Sequence, residues 1–116
     1  MKLRDLDPQW IEHEGRRIGF VFRCPTPIIR SDGSVNPTPY RQSCFVECVP
    51  MKLQHEIFDH MFGDDSFTVQ RCNPNCAWSV AGGIDAASLD TLTVSPSIDG
   101  SAAGFWHGFI KNGQIT

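Results

Sequence analysis

The chain lacks any run of 18 apolar residues, so nothing in it predicts a membrane-spanning helix. Its first residues, Met1-Lys-Leu-Arg-Asp-Leu-Asp7, contain no apolar core of a secretion signal. The sequence has no phosphate-binding Walker loop, no dinucleotide-binding glycine fingerprint and no Gly-x-Ser-x-Gly elbow. The common nucleotide-binding and serine-hydrolase templates are therefore excluded. Positive charge is scarce after residue 52: two Lys/Arg stand against seven Asp/Glu there, whereas residues 1–52 hold eight against six. A net charge of −3 argues against nucleic acid as the main partner. Internal repeats and linker-like segments are missing as well, which predicts a single domain over residues 1–116.

What is present suffices for a core. Hydrophobic residues make up 41% of the chain and include eight Phe and three Trp, so global disorder is not expected. Five Cys without an export signal place the chain in a reducing compartment, the cytoplasm, as thiols or metal ligands. The alternation of Arg17 to Cys24 predicts a strand with Ile18, Phe20, Phe22 and Cys24 on one face. Arg41 to Val49 predicts a second strand, with shorter ones at Phe67–Arg71 and Ala77–Ala81. Asp7-Pro8 reads as a helix cap followed by a turn of helix that carries Trp10 and Ile11 and ends by Gly15. Pro25 to Tyr40, with four prolines, reads as irregular. The principal helix spans about 50–62, where Leu53, Ile57, Phe58, Met61 and Phe62 recur at helical spacing before Gly63.

The stretch from Asp90 to the end organises the remainder. Leu92 and Val94 alternate with threonines, Pro96 interrupts, and Asp99-Gly100 is a turn pair. Gly104 to Ile110 then reads as a strand with Phe105, His107 and Phe109 on one face and Trp106, Gly108 and Ile110 on the other. Asn112-Gly113 predicts a type I′ turn that sets Ile110 opposite Ile115. The expected fold class is α+β: a small, mainly antiparallel sheet with one principal helix and a C-terminal β-hairpin.

Four groups of residues have side chains capable of chemistry. His107, between two phenylalanines, reads as a core histidine bonded to a carbonyl or as a metal ligand or acid–base group. Cys44-x3-Cys48 and Cys72-x3-Cys76 imitate a four-cysteine zinc pattern. An extended Cys44–Cys48 would separate its sulfurs by roughly 13 Å, against about 4 Å for two sulfurs on one ion. Asn73-Pro74-Asn75 is turn chemistry and lets Cys72 and Cys76 converge. His55-Glu-Ile-Phe-Asp-His60 misses the zinc-protease helix pattern by one residue. Its histidines stand about 140° apart around the helix instead of about 40°, so His55, Glu56, Asp59 and His60 read as a solvated face. Ser95 and Ser97 lie near His107 in sequence, without a spacing that places either as a nucleophile.

Pro8-Gln-Trp10, Gly19-Phe-Val-Phe-Arg-Cys-Pro25, Thr91-Leu-Thr-Val-Ser-Pro-Ser-Ile98 and Trp106-His-Gly-Phe-Ile-Lys-Asn-Gly-Gln-Ile115 resemble the ends of DUF6527, a family of small phage, prophage and bacterial proteins. The resemblance covers the first 25 residues and the last 27 or so; the middle has no counterpart. It implies a Cys/His zinc site built from a Cys-Pro-x-Cys pair and the histidine region. Cys24 and His107 match that set, while Pro27 and Phe105 stand where further ligands would be. Either the metal is lost, or Cys72 and Cys76 replace the missing ligands. The set Cys24, Cys72, Cys76 and His107 would be a closed, structural zinc site.

The expected function is a small binding module acting on a protein partner, with a structural Zn²⁺ at that set. The alternative is a metal-dependent, peptidase-like hydrolase in which Asp90, Asp99 or Glu47 serves as base. A nucleic-acid role would need Arg16, Arg17, Arg23 and Arg30 to gather beside exposed aromatics.

Overall fold

The computed structural model describes residues 1–26, 28–29, 32–36, 40–72, 77–99 and 106–116. A 3-10 turn, Leu3–Leu6, leads into β1 (Gln9–His13) and β2 (Arg16–Arg23). Next come β3 (Ile28–Ile29), β4 (Val35–Asn36) and β5 (Arg41–Phe45), then α1 (Met51–Phe62) and β6 (Val69–Gln70). The chain continues through β7 (Ser79–Val80), β8 (Val94–Ser95), β9 (Ile98–Asp99), β10 (His107–Gly108), β11 (Ile110–Lys111) and β12 (Gln114–Ile115). This is an α+β domain with a mainly antiparallel sheet and one principal helix. Among the described residues, no helix is long and apolar enough to cross a membrane.

The central sheet runs β1-β2-β5-β6. Its first three strands are antiparallel, with Trp10 opposite Phe20 and Phe20 opposite Cys44. The last pairing is parallel, Arg41 beside Val69. Gly19 sits where β2 and β5 approach closely, so that a Cβ would overlap the carbonyl of Cys44. One core cluster packs on each face. The first joins Phe20, Phe22 and Cys44 to Leu3, Leu92, Val94, Ile98, Trp106 and Ile110. The second joins Val21, Phe45 and Val69 to Ile57 and Phe58 of α1. Each fully buried Phe contributes roughly 1.5–3 kcal/mol of transfer energy, which makes the sheet the natural seat of the core.

Three stretches fold differently from their local sequence signals. The helical turn expected after Asp7-Pro8 is the strand β1. Asp7 adopts φ +50° and ends the preceding 3-10 turn instead of capping a helix. Glu14 and Gly15, both at positive φ, make the two-residue turn that returns β1 to β2. Ile18 does not share the face of Phe20 and Phe22. The register shifts opposite Ile11/Glu12, and this bulge turns Ile18 onto the helix side, in the second cluster. Within the stretch expected to be irregular, β3 and β4 form a short antiparallel pair.

The helix follows its sequence signals closely. Pro50 is extended at the N-cap, and Gly63 ends the helix at φ +56°, a left-handed angle that suits glycine. The C-terminal hairpin also matches: Ile110 pairs with Ile115, and Asn112 and Gly113 take φ +49° and +74°. The Asp99-Gly100 turn and the start of the strand expected from Gly104 lie outside the described residues, apart from Asp99 itself.

Candidate functional site

Alternation along β10 and β11 separates the two groups of side chains as expected, but the histidine group faces outward. Trp106, Gly108 and Ile110 are buried, whereas His107 and Phe109 are exposed. The reading of His107 as a core residue is thereby overturned. Burying an indole and an isoleucine gains more than burying an imidazole, and the neighbours fit that choice. Trp106 meets Phe22 edge-on at 6.0 Å. Its backbone N–H donates to Gln42 Oε1 and its carbonyl accepts from Gln42 Nε2, both at 3.1 Å. Gly108 leaves room for the indole, because a Cβ there would overlap the ring.

His107 Nε2 lies 3.3 Å from Ser97 Oγ, a contact the linear spacing did not reveal. The antiparallel pair of β9 and β10 creates it by setting His107 opposite Asp99. Ser97 is fixed by its carbonyl, which accepts from Trp78 Nε1 at 3.2 Å. With an exposed His107, this hydrogen bond competes with water and is worth little to stability.

The three expected zinc ligands that the structure describes, Cys24, Cys72 and His107, are dispersed. Cys24 continues the face of Phe22 and packs against the first cluster, with Sγ 3.7 Å from Thr26 Oγ1. Cys72 packs against the second cluster, where its Sγ donates to the Ser43 carbonyl at 3.0 Å. The two sulfurs therefore belong to opposite sides of the sheet, and His107 sits on the outer surface. Cys76 lies outside the described residues. Among the described residues, no three His, Cys, Asp or Glu side chains gather to hold an ion. Cys24, Cys72 and His107 as placed do not fit a shared tetrahedral centre.

Of the other cysteines, Cys44 is buried and Cys48 exposed. Burial pushes the Cys44 thiol well up, with a smaller contribution from Cys72 nearby. Thiolate is the reactive form. Brief alkylation of native protein near neutral pH should therefore modify Cys48 well before Cys44, read residue by residue by peptide mass spectrometry. Equal labelling of the two would contradict the burial of Cys44.

A cleft of about 190 Å³ opens between β1 and α1, lined by Glu12, His13, Leu53, Glu56, Ile57, His60 and Met61. Residues 53, 56, 57, 60 and 61 are one stripe of the helix, at spacings of three and four. Leu53, Ile57 and Met61 form an apolar floor, and Glu12, His13, Glu56 and His60 form a polar rim. His13 Nε2 lies 3.8 Å from Glu14 Oε1, which adds a further carboxylate close by. Among the described residues, no Lys or Arg lines the cleft. The expected solvated face of α1 is present, since His55, Glu56, Asp59 and His60 are all exposed. The sequence did not show that half of this face turns toward β1, because β1 itself reads as a helix from its Asp-Pro signal.

No family model, no curated protein and no solved structure matches the chain.

Proposed function

We propose that the chain is a small binding module that holds a segment of a partner protein in the cleft between β1 and α1. The observation that carries this reading is the cleft itself: a partly uncovered apolar floor of Leu53, Ile57 and Met61 inside a polar rim. Such a floor gains energy when a partner side chain displaces water from it, and the rim restricts which partner fits. Cys24, Cys44 and Cys48, free thiols among the described residues, support placing the module in a reducing compartment such as the cytoplasm. A hydrolase, or a structural zinc, built on Cys24, Cys72, Cys76 and His107 draws no support from the positions of the first, second and fourth of these.

The test is site-specific photo-crosslinking in cells. Crosslinkers at His13 and His60, on the two walls, are expected to capture the same partner peptide. A crosslinker at Lys52, exposed and outside the cleft, should not. Met61→Asp should reduce capture from both wall positions about tenfold or more, while thermal unfolding shows the variant still folded. Capture that is equal from Lys52, or unchanged by Met61→Asp, would remove the cleft from the function.

A further inference from the structure

The cleft runs beside a free sheet edge. β1 is the first strand in the order β1-β2-β5-β6. Among the described residues, no backbone group of residues 9–13 bonds to anything beyond β2. An edge strand carries outward N–H and C=O groups on alternate residues, a ready template for another strand. Proteins often blunt such edges with a bulge, but here the extra residue, Ile18, is on β2. The five residues of β1 therefore stay continuous. Ile11 faces α1, within the second core cluster, and His13, two residues on, reaches the cleft.

We infer that the occupant is an extended basic segment of a partner protein, which adds as a strand to the outer edge of β1. This rests on the binding reading above and specifies its partner. Strand addition places alternate side chains of the incoming segment on the α1 side of the sheet, over Leu53, Ile57 and Met61. Those positions take apolar residues. The rim holds Glu12 and Glu56 with no Lys or Arg among the described lining residues to neutralise them, so Lys or Arg flanking the apolar positions complements it. A second copy of this chain fits less well, because β1 itself, Gln9-Trp-Ile-Glu-His13, carries no Lys or Arg to offer the acidic rim.

The experiment uses the full chain and a short, end-blocked peptide that alternates isoleucine and lysine, with binding followed by NMR shifts. Shifts are expected at β1 amides and at Leu53, Ile57 and Met61. Two further peptides carry N-methyl groups, one on the even amides and one on the odd. Only one of these sets faces β1, so one methylated peptide should lose affinity at least about tenfold and the other should keep it. Glu12→Lys with Glu56→Lys should weaken the unmodified peptide by roughly tenfold, and the peptide with glutamate in place of lysine should bind no more than weakly. Equal retention or equal loss for the two methylated peptides would overturn strand addition while cleft binding stands. Equal affinity for the acidic peptide would overturn the basic partner. Self-association of the chain through β1 at the same concentrations would replace the partner by a second copy. An unmodified peptide that shifts neither β1 nor the helix floor would overturn this inference, and with the crosslinking result it would decide the cleft reading as well.

Discussion

Gly113→Ala is expected to lower the unfolding free energy by at least about 3 kcal/mol, seen as a fall in Tm of roughly 10 °C or more. Two independent costs combine at this residue. Its φ of +74° is a conformation that L side chains rarely adopt. A Cβ would also overlap the backbone carbonyl of Asp90, which cannot swing aside as a flexible side chain would. The site is a junction of three chain segments. Gly113 N–H donates to the Leu92 carbonyl at 2.9 Å, and its own carbonyl accepts from Leu3 N–H at 2.8 Å. The 3-10 turn, the segment before β8 and the last hairpin meet there, so displacing Gly113 disturbs Leu3, Leu92 and Ile110 of the first cluster together. Gly15 is the control. It has φ +79°, but a methyl group added there would meet nothing within 4 Å, so Gly15→Ala should cost only about 1 kcal/mol. Thermal unfolding of both variants separates strain from overlap. Similar losses in the two would mean that overlap at Asp90 is relieved at no cost.

The same residue shows how far local pattern reaches. Asn112-Gly113 announces the hairpin and its register because a type I′ turn needs two adjacent positive φ angles. It does not announce that the turn lies on Asp90, since that contact depends on how the whole C-terminal stretch folds over the sheet. Helix α1 was legible for a similar local reason: five apolar residues at helical spacing between Pro50 and Gly63. At β1 the local signal misled. Asp7-Pro8 carries cap chemistry, yet the pairing of Trp10 with Phe20, supported by their edge-on contact at 6.4 Å, outweighs one turn of helix. The period of residues 105–110 was readable, but which face is buried depended on Phe22 and Gln42, distant in sequence. The cleft was half legible. The polar stripe of α1 could be read from spacing, whereas its facing wall required the correct assignment of β1. The set Cys24, Cys72, Cys76 and His107 rested on a resemblance at the chain ends and on turn chemistry at 73–75, and neither says that Cys24 and Cys72 pack against different core clusters.

Gln54→Met is expected to destabilise the fold by about 2–4 kcal/mol and to expose Cys72 to alkylation. A glutamine at the inner face of an amphipathic helix looks like a defect in the apolar pattern. Here it is only 1% exposed, and its amide is used at both ends. Nε2 donates to the carbonyls of Val49 and Cys72 at 2.9 and 2.8 Å, and Oε1 accepts from the Cys72 N–H at 2.9 Å. The side chain thus replaces a strand pairing: it clips the chain after β6 to the start of α1. Methionine has similar length and no amide, so it removes the three hydrogen bonds that Gln54 makes to backbone groups of Val49 and Cys72 while creating little cavity. Each hydrogen bond lost at a buried site costs about 1–3 kcal/mol, and partial exposure at Cys72 lowers the sum. Loss of the clip should also free the Cys72 thiol from the Ser43 carbonyl, giving faster alkylation of Cys72 in the variant with Cys44 still protected. Gln54 lies next to Leu53 of the cleft floor, so a shift of α1 on losing the clip would reach the cleft. The variant should therefore weaken capture from His13 and His60 in the crosslinking assay even at temperatures where it remains folded. Unchanged stability together with unchanged Cys72 labelling would mean that packing of Ile57 and Phe58 alone sets the helix, and that the polar clip follows from the fold instead of fixing it.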